Sequence, residues 1–171
     1  MTRFRQPDPT TCGSAVAVRA RMLSDPAYDA WLRADRDPAA RFADEALRTH
    51  RRTNRVLDGS GRVRLPWPRA LGTTPWALAR ELGGAHHVTL VVDREAAWQR
   101  LTDTDAPSPL FVGSSWLPRH VVLVLGVTGD RLTAYEPSAG AEATVDRDAF
   151  VGADLRLGGW DRPWFTVTPA G

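Results

Sequence analysis

The stretch Gln6–Leu23, QPDPTTCGSAVAVRARML, governs how the rest of the chain is read. It carries the only cysteine, Cys12, between a proline-broken loop and a run of small residues suited to a helix. Pro7 and Pro9 each remove a backbone donor and disfavour helix in the residue before them, so the segment ahead of Cys12 is extended. Thr10 or Thr11 supplies a cap for the helix that follows. The sulfur then stands at a helix N-terminus, where partial positive charge favours thiolate over thiol. Gln6, six residues upstream, is placed to fold its amide back beside the sulfur and donate to a developing oxyanion. The competing reading of a lone cysteine is a small buried hydrophobe. What decides between them lies more than a hundred residues downstream.

Size and composition set the frame. With 171 residues, 43% hydrophobic and 25% charged, the chain is expected to form one domain over residues 1–171 with a core of its own. All 22 basic residues are arginine, and lysine and isoleucine are absent, a pattern that fits GC-rich coding better than selection for arginine chemistry. The formal net charge is only +2, which argues against a nucleic-acid partner. A single cysteine forms no internal disulfide, and the N-terminus MTRFRQP lacks an apolar signal segment. No run is long enough to cross a bilayer. The expectation is a cytoplasmic protein with no membrane attachment.

The first half reads as helical. Asp25-Pro26 opens a helix over 27–34 with Tyr28, Trp31 and Leu32 on its inner face, and Asp37-Pro38 opens another reaching about Arg55. In that second helix Phe42, Ala46, Leu47 and His50 form the apolar stripe, and Arg48, Arg51, Arg52 and Arg55 the solvated face. Asp58 to Arg62 reads as a loop and 65–74 as irregular. Thr74-Pro75 caps a helix over 76–82, and residues 94–102 form one with Ala97, Trp98 and Leu101 inward. A β-branched run over 88–93 separates them as a strand. Trp31, Trp76 and Trp98 are expected to pack in the core.

The second half changes period. Strands are expected over 110–114, 120–127, 131–136, 142–145 and 163–168, with a helical turn from Asp146 to Phe150. Helices followed by consecutive antiparallel strands describe an α+β domain with a segregated sheet.

His120 opens the most apolar strand, and Glu136 closes the next one. If Thr128-Gly129-Asp130 is a three-residue turn pairing Val127 with Arg131, His120 falls opposite Ser138. Glu136 then becomes its diagonal neighbour on the same face. A two-residue turn would shift the parity and send Glu136 to the other face. With the first register, Cys12 attacks a carbonyl carbon as thiolate, and His120 pairs with it and then protonates the leaving group. Glu136 orients the imidazole. Gln6 and the Cys12 backbone N–H stabilise the oxyanion, an effect of about 3 kcal/mol per donor.

Taken together, Gln6, five residues, Cys12-Gly13, then His120-Val-Val-Leu-Val and Glu136-Pro137-Ser138-Ala139-Gly140 resemble the papain-like cysteine peptidases of the bacteriocin-processing (double-glycine leader) type and their stand-alone relatives. Those proteins show Q-x5-C-G, then H-[FW]-V-V, then D-P-x-x-G. The resemblance implies a papain-like fold, with a central nucleophile helix packed on a C-terminal antiparallel sheet, and thiol peptidase activity on a peptide or protein substrate. Three departures stand out: Glu136 replaces an aspartate, Val121 replaces an aromatic, and these 171 residues include no transmembrane transporter portion, so a leader peptidase riding on a transporter is not expected.

Gly13 beside the nucleophile and Trp116, four residues before His120, are the candidates for substrate contact; packing of Trp116 against the sheet is the rival reading. Adjacent His86 and His87 point to opposite sides and cannot share a metal ion. No His-x-x-His or Glu-x-x-His pair is present, so neither a metal site nor a cofactor is expected. Asp8 and Asp130, in loops, are given no chemical role. The rival functions are acyltransferase, transglutaminase or deamidase chemistry through the same thioester, and a non-catalytic peptide-binding domain.

Overall fold

The computed structural model describes residues 2–53 and 72–170. The expected loop 58–62, the irregular stretch 65–71 and the helix end at Arg55 lie outside them. In chain order the elements are α1 (Cys12–Ser24), α2 (Pro26–Arg33), α3 (Pro38–Thr53), α4 (Pro75–Glu81), β1 (His86–Leu90), α5 (Arg94–Thr102), β2 (Ser108–Gly113), β3 (Pro118–Thr128), β4 (Arg131–Glu136), β5 (Ala141–Asp146), α6 (Arg147–Gly152) and β6 (Arg162–Pro169). The fold is α+β, as expected. Among the described residues no helix is long and apolar enough to cross a membrane.

Local chemistry sets the helix starts. Asp25 accepts from Tyr28 N at 3.0 Å with Pro26 as the first helical residue. Thr74 accepts from Ala77 N at 3.0 Å ahead of α4, and Asp93 from Ala96 N at 3.1 Å ahead of α5. The buried stripe of α3 is Phe42, Ala46, Thr49 and Thr53. That corrects the expected stripe: Leu47 and His50 flank the inner face half-buried, and two threonines stand on it instead. Of the three tryptophans expected in the core only Trp98 is there. Trp31 is half-exposed, stacked on Tyr28 with the Arg41 guanidinium over its ring, and Trp76 lies half-exposed with its edge on Phe165.

The strands form an antiparallel sheet in the order β1-β6-β2-β3-β4-β5. Alternation divides the core between its faces. Phe111, Val121, Leu123, Tyr135 and Val167 pack against α1 and the helices around it. Leu110, Val112, Val122, Val124, Leu132 and Ala134 pack against α5, α6, Leu155 and Leu157.

The β3–β4 hairpin corrects the expected turn. Thr128 pairs with Arg131, so the connection is the two residues Gly129 and Asp130. Gly129 takes φ +58°, as the primed hairpin turns require. The register then shifts: Gly126 faces Thr133, but Val124 faces Ala134, leaving Leu125 as the extra residue of a β-bulge. Beyond the bulge Leu123 faces Tyr135, and the same register carried outward sets His120 opposite Ser138. The extra residue sits in the strand rather than in the turn, and the parity lost at one place is restored at the other.

Candidate active site

Residues Phe4–Gln6 tie the nucleophile loop to the end of β4. Tyr135 Oη donates to Phe4 O at 2.7 Å, Gln6 N to Pro137 O at 2.8 Å, and Arg5 Nε to Ala139 O at 2.9 Å. Gly140, at φ +61°, lets this segment pass close: a Cβ there would stand 2.8 Å from Phe4 O. Residues 4–6 and 136–140, far apart in sequence, are thereby fixed side by side.

Between Gln6 and Cys12 the loop is organised by Asp8, a residue the sequence reading passed over. Its Oδ1 accepts from Thr10 N at 2.8 Å and Thr10 Oγ1 at 2.7 Å. Its carbonyl accepts from Gln6 Nε2 at 2.9 Å, Thr11 Oγ1 at 2.8 Å and Thr11 N at 3.3 Å. The signal for it was an Asp followed two residues later by a donor, the Asx-turn pattern. Thr11 is the N-cap residue of α1 by position, yet its side chain makes no capping bond because its hydroxyl is committed to Asp8.

Cys12 is the first residue of α1, whose opening turn holds no acidic side chain. The leading N–H groups of a helix have no intrahelical acceptor and point at whatever lies before it. Cys12 is buried, 2% exposed, with Gly72 beside it: a Cβ on Gly72 would lie 3.7 Å from the sulfur. Gly13 is buried against Thr73, where a Cβ would come within 2.8 Å of the Thr73 Cβ, so only its backbone can face a ligand.

His120 and Glu136 meet at the end of the β3–β4 pair, both buried. His120 Nε2 lies 2.8 Å from Glu136 Oε1, and the same oxygen accepts from Ser138 N at 2.7 Å. The extra methylene of a glutamate is taken up by this fold-back onto the turn. Nε2 is committed to Glu136, which leaves Nδ1 outside that bond, and Cys12 is a near enough neighbour to act on the charge of the imidazole. Burial alone would depress the imidazole, but the hydrogen bonds and charges of Cys12 and Glu136 outweigh it and raise His120 to about 9. Burial likewise opposes a charged Glu136, yet His120 and the Ser138 N–H hold its carboxyl below the ordinary value.

The structure thus sets His120 against Glu136, with Cys12 near enough to influence the imidazole and Gln6 half-buried at the near end of the loop before Cys12. Trp116 stands in the β2–β3 loop, 83% exposed, where Ser114 Oγ accepts from the Trp116 and Leu117 N–H groups. Packing against the sheet, the rival reading for it, does not occur.

No family model matches this sequence, and no curated protein matches it. Among solved structures, the chain is similar in fold to the crystal structure of the peptidase domain of Streptococcus ComA, a bifunctional ABC transporter involved in a quorum-sensing pathway. The two share 14% identity with a TM-score of 0.53, and the match covers 98% of each chain. The fold class expected from the sequence, α+β and papain-like, is the fold observed.

Proposed function

We propose that the chain is a thiol hydrolase, a cysteine peptidase cleaving peptide or amide bonds of a peptide or protein substrate. The observation that carries the reading is the position of His120, held by Glu136 through Nε2 and close enough to Cys12 for the thiol to act on its charge. The likeness of fold to a peptidase domain supports the substrate class.

In this proposal the imidazolium of His120 is the cationic partner of the Cys12 thiolate. The sulfur attacks the carbonyl carbon, and the electron pair of the C=O bond moves to oxygen. The Cys12 backbone N–H and the second amide hydrogen of Gln6, the first being held by Asp8 O, donate to that oxyanion. His120 Nδ1–H then protonates the departing amine and leaves a thioester. A water molecule, giving its proton to the now neutral imidazole, attacks the thioester carbon and releases the acid and the thiolate. Glu136 keeps the ring in orientation throughout and stabilises its charged form. Exposed Trp116 offers an aromatic face to the bound chain.

The burial of Cys12 is the observation on the side of a non-catalytic peptide binder. Thiol-directed labelling separates the two readings: rapid alkylation of Cys12 that is lost in His120→Ala supports the enzyme, and slow labelling unaffected by His120→Ala supports the binder. Product analysis by mass spectrometry then distinguishes cleavage from release of ammonia or transfer of the acyl group.

A further inference from the structure

The segment after α6 ends in a tight hairpin whose tip lies on the His120–Glu136 pair. Leu157 and Trp160 exchange backbone hydrogen bonds, each 3.0 Å, across the two residues Gly158 and Gly159. Both glycines take positive φ, +57° and +84°, as a two-residue primed turn requires. Leu155 and Leu157 are buried among Val122, Leu132, Ala134 and Phe150, so the base of the hairpin is anchored in the core. Leu155 N also donates to Asp161 O at 3.1 Å below the tip.

His120 and Glu136 carry the alternation parity of Val122 and Ala134, the sheet face on which this hairpin packs. The approach at its tip is close. A Cβ on Gly158 would stand 2.6 Å from His120 Cδ2, 2.8 Å from His120 Nε2 and 2.8 Å from Glu136 Oε2. Neither the imidazole, locked by its own hydrogen bond, nor the carboxylate, pinned by the Ser138 N–H, can give way freely. Gly159 next to it would meet nothing within 4 Å. Glu136 Oε2 is buried and finds no hydrogen-bond partner among the described residues, although Gly158 itself is exposed to solvent. The glycine thus lies over this oxygen with its outer side open to solvent.

We infer that Gly158 is a positioning residue: the tip of the Leu157–Trp160 hairpin is a backbone shield that holds His120 against Glu136 and keeps water off their hydrogen bond. Only a residue without Cβ can lie flat on the pair. Excluding water strengthens the hydrogen bond by lowering the local dielectric. Among the described residues, the titratable groups that act on His120 are Cys12 from α1 and Glu136 from β4. The importance of this shield to turnover rests on the peptidase reading; its effect on the pair does not.

The test compares Gly158→Ala with Gly159→Ala. Both place an L-residue at positive φ, so both carry similar backbone strain, and only the first collides with the pair. Nuclear magnetic resonance follows the His120 ring through a pH titration and the exchange of its Nε2 proton with water. The expected result is that Gly158→Ala moves the His120 titration back toward its ordinary value by about one unit or more and speeds proton exchange at least tenfold. Gly159→Ala is expected to match the unmodified protein. Equal behaviour of the two variants in both readouts overturns the inference. Should Gly158→Ala fail to fold, the unmodified protein decides: a slowly exchanging Nε2 proton resonance in water supports the shield, and rapid exchange overturns it. Alkylation of Cys12 in the same samples reads the peptidase proposal separately, because an unreactive thiol beside a shielded imidazole sinks that proposal alone.

Discussion

His120 Nε2 and Glu136 Oε1 lie 2.8 Å apart, both buried at the end of one antiparallel strand pair. Removing the charge while keeping the shape isolates what the carboxylate contributes. Glu136→Gln retains an acceptor for the imidazole but no negative partner, so the imidazolium loses support. Under the proposed mechanism kcat/KM falls by about 100-fold or more, with little change in the folded content measured by circular dichroism.

The same pair makes stability depend on pH with a definite sign. His120 titrates at about 9 in the folded chain, above its ordinary 6.5, so its contribution is whole below 6.5 and is lost as pH rises through about 9. Glu136 is held below its ordinary 4.5, so its contribution is whole above that value and is lost on acidification. Urea unfolding is expected to show greatest resistance between those two ordinary values. The decline on the alkaline side is on the order of 3 kcal/mol at most. Cys12→Ser and Glu136→Gln each remove a partner of the imidazole and should flatten that alkaline decline. A decline unchanged in both would separate it from His120.

Asp8 is expected to act on activity through Gln6 and the loop. Asp8→Ala removes the acceptor for Thr10 N and Thr10 Oγ1, at a stability cost of about 1 kcal/mol. The larger effect falls on kcat, because the Gln6 amide is held by the Asp8 carbonyl in this same loop. Asp8→Asn keeps the Oδ1 acceptor and should restore most of the rate. Steady-state kinetics of the two variants, with thermal melts as the control, make the comparison.

Trp116 is expected to serve binding rather than chemistry. With 83% of its surface exposed, truncation to alanine removes no core contact and should leave the melting temperature unchanged. If it contacts the bound chain, Trp116→Ala raises KM several-fold while kcat holds, equivalent to about 1 kcal/mol of lost contact.

Much of this arrangement was legible in the residues. The bounds of α5 and β4 follow from capping and β-branched periodicity, and His120 and Glu136 meet as their spacing proposed. The hairpin was right in outcome and wrong in means. A three-residue turn and a two-residue turn with a bulge at Leu125 give the same distant register, and local sequence does not say where an extra residue is accommodated. Trp31 and Trp76 were misplaced because helical spacing gives a face but not the depth of what covers it. Gly158 gave no signal at all. Gly158-Gly159 is an ordinary turn in sequence, and its contact with His120 comes only from the folding of β6 and its preceding hairpin back onto the sheet.

If one buried sulfur and one buried imidazole work as a reactive pair, the rate of Cys12 alkylation by a small electrophile on the folded protein reads it out. The expected result is labelling at mildly acidic pH at least about tenfold faster than a free thiol, falling to or below the free-thiol rate in His120→Ala. Labelling that requires unfolding, or that proceeds alike with and without His120, contradicts it.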